Sequence, residues 1–154
     1  MLFKSINKIL AAFTFLFSLI IYLLTMARTT SLWDCGEFIS TAYTLGVGHP
    51  PGAPFYLLLG NVMSNIPLFD NIGARVNFIS PVASAFSVMF LYLIIVQIIE
   101  YYKGKAKDIS DIIIIHISAL IAALTFAFTD SQWFNAVESE VYALSTFFTA
   151  IVIW

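Results

Sequence analysis

The sequence has 154 residues, of which 60% are hydrophobic and only 10% charged, with a net charge of −2. A soluble domain carries about 25% charged residues, so this chain cannot coat a globule of its size, and an all-α integral membrane fold with lipid as its main solvent is expected. No basic surface suggests nucleic acid as a partner, and the single cysteine, Cys35, excludes an internal disulfide and any cysteine-based metal motif.

In chain order, the first element is the uncharged run 9–27, close to the roughly 20 residues that span a bilayer. Lys4 and Lys8 precede it, as in a secretory leader. The run is longer than a leader core of about 7–15 residues, and Arg28, Thr29 and Thr30 offer no small-x-small cleavage site. A retained anchor is expected. Further spans are predicted at 77–99 and 112–129, and a fourth begins near 141. Its 14 residues to Trp154 are too few to cross a membrane, so the natural chain is expected to continue.

Lysines favour the cytoplasmic side of span ends. Lys4 and Lys8 lie before the first span, and Lys103, Lys105 and Lys107 lie between the second and third. Three spans place both groups on the cytoplasmic side and leave 28–76 and 130–140 extracytoplasmic. The apolar stretch 54–69 would move the 103–107 loop outside if it also spanned. Its shortness and its prolines and glycine predict an interfacial or re-entrant segment instead. Six of the nine carboxylates, Asp34, Glu37, Asp70, Asp130, Glu138 and Glu140, fall in the two outer regions, with both arginines, Arg28 and Arg75. Chemistry, if present, belongs to that face.

Three constellations could carry it. In Trp33-Asp34-Cys35-Gly36-Glu37-Phe38, the two acids share a helix face at i, i+3. A carboxylate beside hydrocarbon is costly unless solvated, paired or useful, and its pKa can rise enough for base catalysis. A solvated helix start, with Asp34 at the positive end of the dipole, explains the same residues. In Gly46-Val47-Gly48-His49-Pro50-Pro51-Gly52-Ala53-Pro54, prolines and glycines make a bent loop that presents His49 or simply joins two interfacial helices. In the 130–140 segment, Glu138 and Glu140 cannot share a helix face, so one could line a cavity while the other meets water; an ordinary polar loop anchored by Trp133 accounts for it equally. Arg75 could hold an anionic ligand such as phosphate, pair with Asp70, or snorkel to headgroups. His116, inside the third span, has no assigned role.

The strings WDCGEFISTAYTLGVGHPPGAPFYLLLG, ARVNFIS and FTDSQWFNAVESEVYALSTFF are similar to a membrane family of protein O-mannosyltransferase-like proteins, a bacterial branch of which is known as a domain of unknown function. The similarity runs from about residue 28 to the end. More broadly, an acidic pair after the first span, a His-Pro-Pro bend, an outer arginine and a later outer acid resemble the start of a GT-C-type glycosyltransferase. The resemblance implies the N-terminal part of a multi-spanning GT-C-like helical bundle in a membrane, the inner membrane for a bacterial member. It implies transfer of a sugar, expected to be mannose, from a polyprenyl-phosphate carrier to a Ser or Thr hydroxyl of an acceptor protein.

On that resemblance, Asp34 is expected to be the catalytic base with Glu37 second. Arg75, His49, Glu138 and Glu140 are expected to bind donor phosphate or substrate. The GT-C pattern often has adjacent acids, whereas Asp34 and Glu37 are spaced by two residues, which leaves the choice of base open. No metal site is expected, and no cofactor beyond the lipid-linked sugar donor is firmly implied. A transporter or a non-catalytic membrane protein is the alternative, since intramembrane charges and broken helices also mark transport sites.

Overall fold

The computed structural model describes residues 2–154, which form eight helices and, among the described residues, no strand. They are α1 (Leu2–Thr25), α2 (Cys35–Thr44), α3 (Pro54–Asn65), α4 (Ile72–Asn77), α5 (Ile79–Lys103), α6 (Ile109–Ala127), α7 (Asp130–Val137) and α8 (Val141–Ile153). Three segments are long and apolar enough to cross a membrane: Leu2–Thr25, Ile72–Lys103 and Ile109–Ala127. The pair α7 and α8 qualifies only jointly, across a bend of 113°. This is the all-helical membrane architecture that the composition implies.

The boundaries move for identifiable reasons. α1 starts at Leu2 rather than at 9 because lysine is a good helix former, so Lys4 and Lys8 ride on the helix. The second span begins with α4, whose N-cap Asn71 accepts from the N–H of Gly73 at 2.7 Å. α3 is 12 residues, about 18 Å long, well short of a hydrocarbon core of about 30 Å.

α5 is the central element, packed against α1, α6, α7 and α8. Small residues let its neighbours approach: Ser80, Ala83, Ser84, Ala85 and Ser87 are all buried. α1 answers with Ala11, Thr14, Ser18 and Tyr22, a stripe at helical spacing, and α6 with Ala119, Ala123 and Ala127. Two buried polar contacts lock these helices. Tyr22 donates to the carbonyl of Ala127 at 2.8 Å, and the Tyr92 hydroxyl meets Nδ1 of His116 at 2.8 Å. His116 is thus an interhelical contact through Nδ1, while its buried Nε2 has no hydrogen-bond partner among the described residues.

The polar ends of the bundle separate cleanly. Lys4, Lys8 and Lys105 line one cavity at one end, so the two lysine groups lie together. At the other end, the N–H of Ala27 donates to the carbonyl of Val137 at 2.8 Å, joining the exits of α1 and α7. A second apolar core, built from Cys35, Ile39, Tyr56, Val76, Ile79 and Leu144, sits beneath the loops of that end.

Candidate functional site

α2 places the acidic pair. Trp33, with φ of 58°, occupies the left-handed region that a bulky side chain enters only under strain. The chain turns there into the helix, and the carbonyl of Asp34 accepts the first helical bond, from the N–H of Phe38 at 2.9 Å. The Asp34 carboxylate makes no capping bond and stays half exposed. One turn on, Glu37 points at the bend formed by 46–54.

That bend wraps the Glu37 carboxylate. The backbone N–H of His49 donates to Oε1 at 2.6 Å, and ring Nδ1 lies 2.9 Å from Oε2. A Cβ on Gly48 would stand 3.1 Å from Oε1, a tight contact that glycine avoids and that a larger residue would relieve only by shifting the carboxylate. The peptide Pro50–Pro51 is cis, and the N–H of Gly52 closes the turn on the carbonyl of His49 at 2.9 Å. Hydrogen bonding from the His49 ring holds the Glu37 carboxyl below its ordinary pKa, and the same bond holds the imidazole above its own. Nε2 of His49 lies 4.0 Å from Oδ2 of Asp34. The ring therefore stands between the two acids.

The third segment, the link between α7 and α8, is carried by two helices that pack on α5. Residues 138 and 140 have extended φ and ψ, with φ of −142° and −141°, on either side of a bend at 138–139, and the two carboxylates lie near enough for the charge of Glu138 to act on Glu140. Ser139 makes a contact with Oδ1 of Asn77. Helix geometry would have sent one of the two glutamates into water; in the extended segment both are about nine-tenths buried. Glu138 accepts from the hydroxyl of Ser31. Glu140 faces a cavity of about 250 Å³ that it lines with Asp34, His49, Phe38, Leu57 and Tyr142. Burial pushes the Glu140 carboxyl up to about 6, with the charges of Glu138 and Asp34 adding to the rise. The 130–137 stretch is helical rather than an irregular loop, because Asp130 favours its N-terminal dipole while Gln132 and Ala136, one turn apart, are buried.

The residues from 34 to 154 match the family described as the Protein O-mannosyl-transferase TMEM260 N-terminal domain. The chain belongs to that family. Over 132 residues it is 26% identical to the Protein O-mannosyl-transferase TMEM260 of Mus musculus, a match covering 86% of this chain and 17% of the mouse protein. Over 137 residues it is 26% identical to the protein of the same name from Dictyostelium discoideum, covering 88% of this chain and 15% of that one. It therefore spans less than a fifth of the length of these relatives. No solved structure matches it. The stretch matching TMEM260 opens on Asp34 and includes every candidate site residue.

Within this TMEM260-family chain the structure brings together Asp34, Glu37, His49 and Glu140, with Glu138 one step behind them. It does not bring Arg75 into the cavity. The Arg75 guanidinium donates through Nε to the carbonyl of Phe69 at 2.6 Å and through Nη1 to that of Ser64 at 3.0 Å. Both bonds brace the loop between α3 and α4. Arg28 lies 5.6 Å from the ring of Phe69, on the same loop.

Asn77 is the residue that sequence reasoning missed. Fully buried between α4 and α5, its Nδ2 donates to the carbonyls of Ala27 and Thr29 at 2.8 and 3.0 Å. Its Oδ1 accepts from Ser139 and lies 3.6 Å from Sγ of Cys35. One side chain thus holds the exit of α1, the start of α2 and the 138–140 segment in register. An asparagine opening an otherwise apolar span was the available signal.

Proposed function

We propose that the intact protein is a GT-C-type glycosyltransferase that moves mannose from a polyprenyl-phosphate carrier to a Ser or Thr hydroxyl of a protein, at the extracytoplasmic face. The family name supports the mannosyl transfer; the grouping of both lysine clusters at the end opposite the acids supports the orientation, since lysines favour the cytoplasmic side. In this reading Asp34 accepts the proton of the acceptor hydroxyl as that oxygen bonds to the anomeric carbon. The bond from that carbon to the carrier phosphate breaks, and polyprenyl phosphate leaves. A hydroxyl is a weak nucleophile and needs such a base.

The observation that carries the assignment is the division between the two acids. Both oxygens of Glu37 are held by His49, whereas the Asp34 carboxylate makes no hydrogen bond among the described residues, has His49 Nε2 at 4.0 Å as an ion-pair contact, and opens on the cavity. Next to it an apolar groove of about 540 Å³ between α3 and α8, walled by Phe55, Tyr142, Leu144 and Phe148, offers a lipid chain a path from the bilayer to the acids.

The test is sugar transfer by the intact protein from polyprenyl-phosphate mannose to a Ser/Thr-containing protein acceptor. Asp34→Asn should lower turnover by about 10²–10⁴-fold, the usual contribution of a general base, while donor still binds. Unchanged turnover in Asp34→Asn removes the mechanism, and transfer from a soluble sugar nucleotide alone removes the donor class.

A further inference from the structure

The cavity at the outer end contains an imbalance of charge. Three carboxylates, Asp34, Glu37 and Glu140, converge on it, and neither lysine nor arginine lines it. His49 is the one group there able to carry positive charge. Arg75, the expected partner of the donor phosphate, is turned onto the carbonyls of Ser64 and Phe69. A phosphate-bearing donor entering this pocket would meet three carboxylates with no lysine or arginine to receive it, and a single imidazole already engaged by Glu37.

We propose that Asp34, Glu37 and His49 bind one divalent transition-metal cation, with Glu140 as a further ligand on the cavity side. One ligand atom from each of the first three already lies within 4.8 Å of the others. Bonds of about 2.0–2.2 Å from carboxylate and imidazole to a tetrahedral ion such as Zn²⁺ put neighbouring ligand atoms roughly 3.3–3.6 Å apart. The 2.9 Å His49–Glu37 contact and the 4.0 Å His49–Asp34 contact straddle that spacing. Side-chain rotation alone reaches it. On binding, the imidazole gives up the proton shared with Glu37. The bond from the His49 N–H to Oε1 of Glu37 can remain, orienting that carboxylate from behind.

Glu140 supplies the independent observation. It is about nine-tenths buried, lines the same cavity, and its carboxylate meets no side-chain donor among the described residues, only the N–H of the adjacent Val141. Apart from the His49 imidazole, which Asp34 and Glu37 also face, this buried carboxylate has no countercharge among the residues lining the cavity. One imidazole nitrogen with several carboxylate oxygens suits Mn²⁺ or Zn²⁺ better than Mg²⁺, which prefers an all-oxygen, largely hydrated shell. The inference deepens the reading above and rests on it for purpose only: the cation would offset the charge of the departing phosphate. The spare oxygen of Asp34 would stay free for the acceptor proton.

The experiment measures binding without any sugar. Intact protein in detergent is stripped with EDTA, desalted and titrated with MnCl₂, with free Mn²⁺ read by its electron paramagnetic resonance signal and ZnCl₂ used as competitor. One saturable equivalent is expected. Glu37→Gln and His49→Ala should weaken it severely, and Glu140→Gln by about 10–100-fold, the range seen when supporting groups of a metal site are removed. Asp130→Asn, on the same face but outside the cavity, should bind normally. Each variant is first required to match the wild-type elution volume and metal-free Tm. Glu140→Gln is the variant least exposed to misfolding, because that side chain anchors no other element. The absence of a saturable site for both ions, or affinity unchanged in Glu37→Gln, Glu140→Gln and any other variant that passes this check, overturns the proposal. Metal binding without mannosyl transfer would overturn the functional reading and leave this one standing; transfer without metal binding would do the reverse.

Discussion

The two oxygens of Glu37 are claimed by one residue: His49 reaches Oε1 with its backbone N–H at 2.6 Å and Oε2 with its ring at 2.9 Å. Two acids that look equivalent by spacing are thereby given different work. Glu37 fixes the imidazole, and Asp34 faces the cavity.

That difference predicts unequal effects on the acceptor reaction. Asp34→Asn should leave donor binding in place and remove turnover. Gly48→Ala should act on the other partner, because its new Cβ would press on Oε1 of Glu37 at 3.1 Å. Expression and helix content should be unchanged in Gly48→Ala, with transfer reduced. Wild-type turnover in Gly48→Ala would mean that the contact between bend and carboxylate does not matter for the reaction.

Asn77→Ala should destabilise the end of the bundle that carries the candidate site. Two backbone carbonyls lose their donor, at about 1–3 kcal/mol for each group left buried and unsatisfied. Asn77→Asp should be no better, since it keeps the acceptor and loses both donors. Thermal unfolding in detergent checks this, and a Tm equal to wild type in both variants would remove Asn77 from its place as organiser.

Gly60 sits where α3 crosses α2. A Cβ there would lie 2.8 Å from Cβ of Ala42 and 3.3 Å from Cγ1 of Val76. Gly60→Ala is expected to cost about 1–3 kcal/mol through overpacking. Adding Ala42→Gly should restore part of this despite the roughly 1 kcal/mol that glycine costs in a helix. If the double variant is less stable than the sum of the single changes, the crossing is not the cause.

Arg75→Ala and Arg75→Lys separate two roles. A brace for the 64–69 loop requires the forked geometry of guanidinium, so both changes should lower Tm by similar amounts. A phosphate partner needs only positive charge, so lysine would preserve the KM for donor while alanine raised it. The structure leads us to expect the first pattern.

Orientation is checked by labelling. In a Cys35→Ser background, Asp70→Cys should react with an impermeant thiol reagent added to intact cells, and Ser110→Cys should not. The reverse result would invert the bundle.

Much of the architecture was legible because lipid imposes long uncharged runs, and 9–27 and 112–129 each lie largely within an observed helix. The paired lysine groups were equally readable. The site was only half legible. Asp34, Glu37 and His49 could be named from local pattern, but their meeting depends on the bend through Gly48, which sets a distance that no spacing along the chain encodes. Glu138 and Glu140 were judged by helical periodicity, and the extended backbone between α7 and α8 reversed the outcome. Arg75 has charge suited to an anion, yet three-dimensional proximity gave its N–H groups to carbonyls six and eleven residues away.

The strap between the exits of α1 and α7 has a bearing on biogenesis. Ala27 bonds to Val137, Ser31 to Glu138 and Asn77 to Ser139, so the loop that follows α1 is fastened by residues synthesised more than a hundred positions after Ala27. While the ribosome is still short of α7, the acidic bend can form on α2, but the wall carrying Glu140 does not yet exist. Among the residues described, the wall carrying Glu140 is the latest to be made, so a nascent chain cannot hold a finished site before its fourth hydrophobic segment has been delivered to the bilayer.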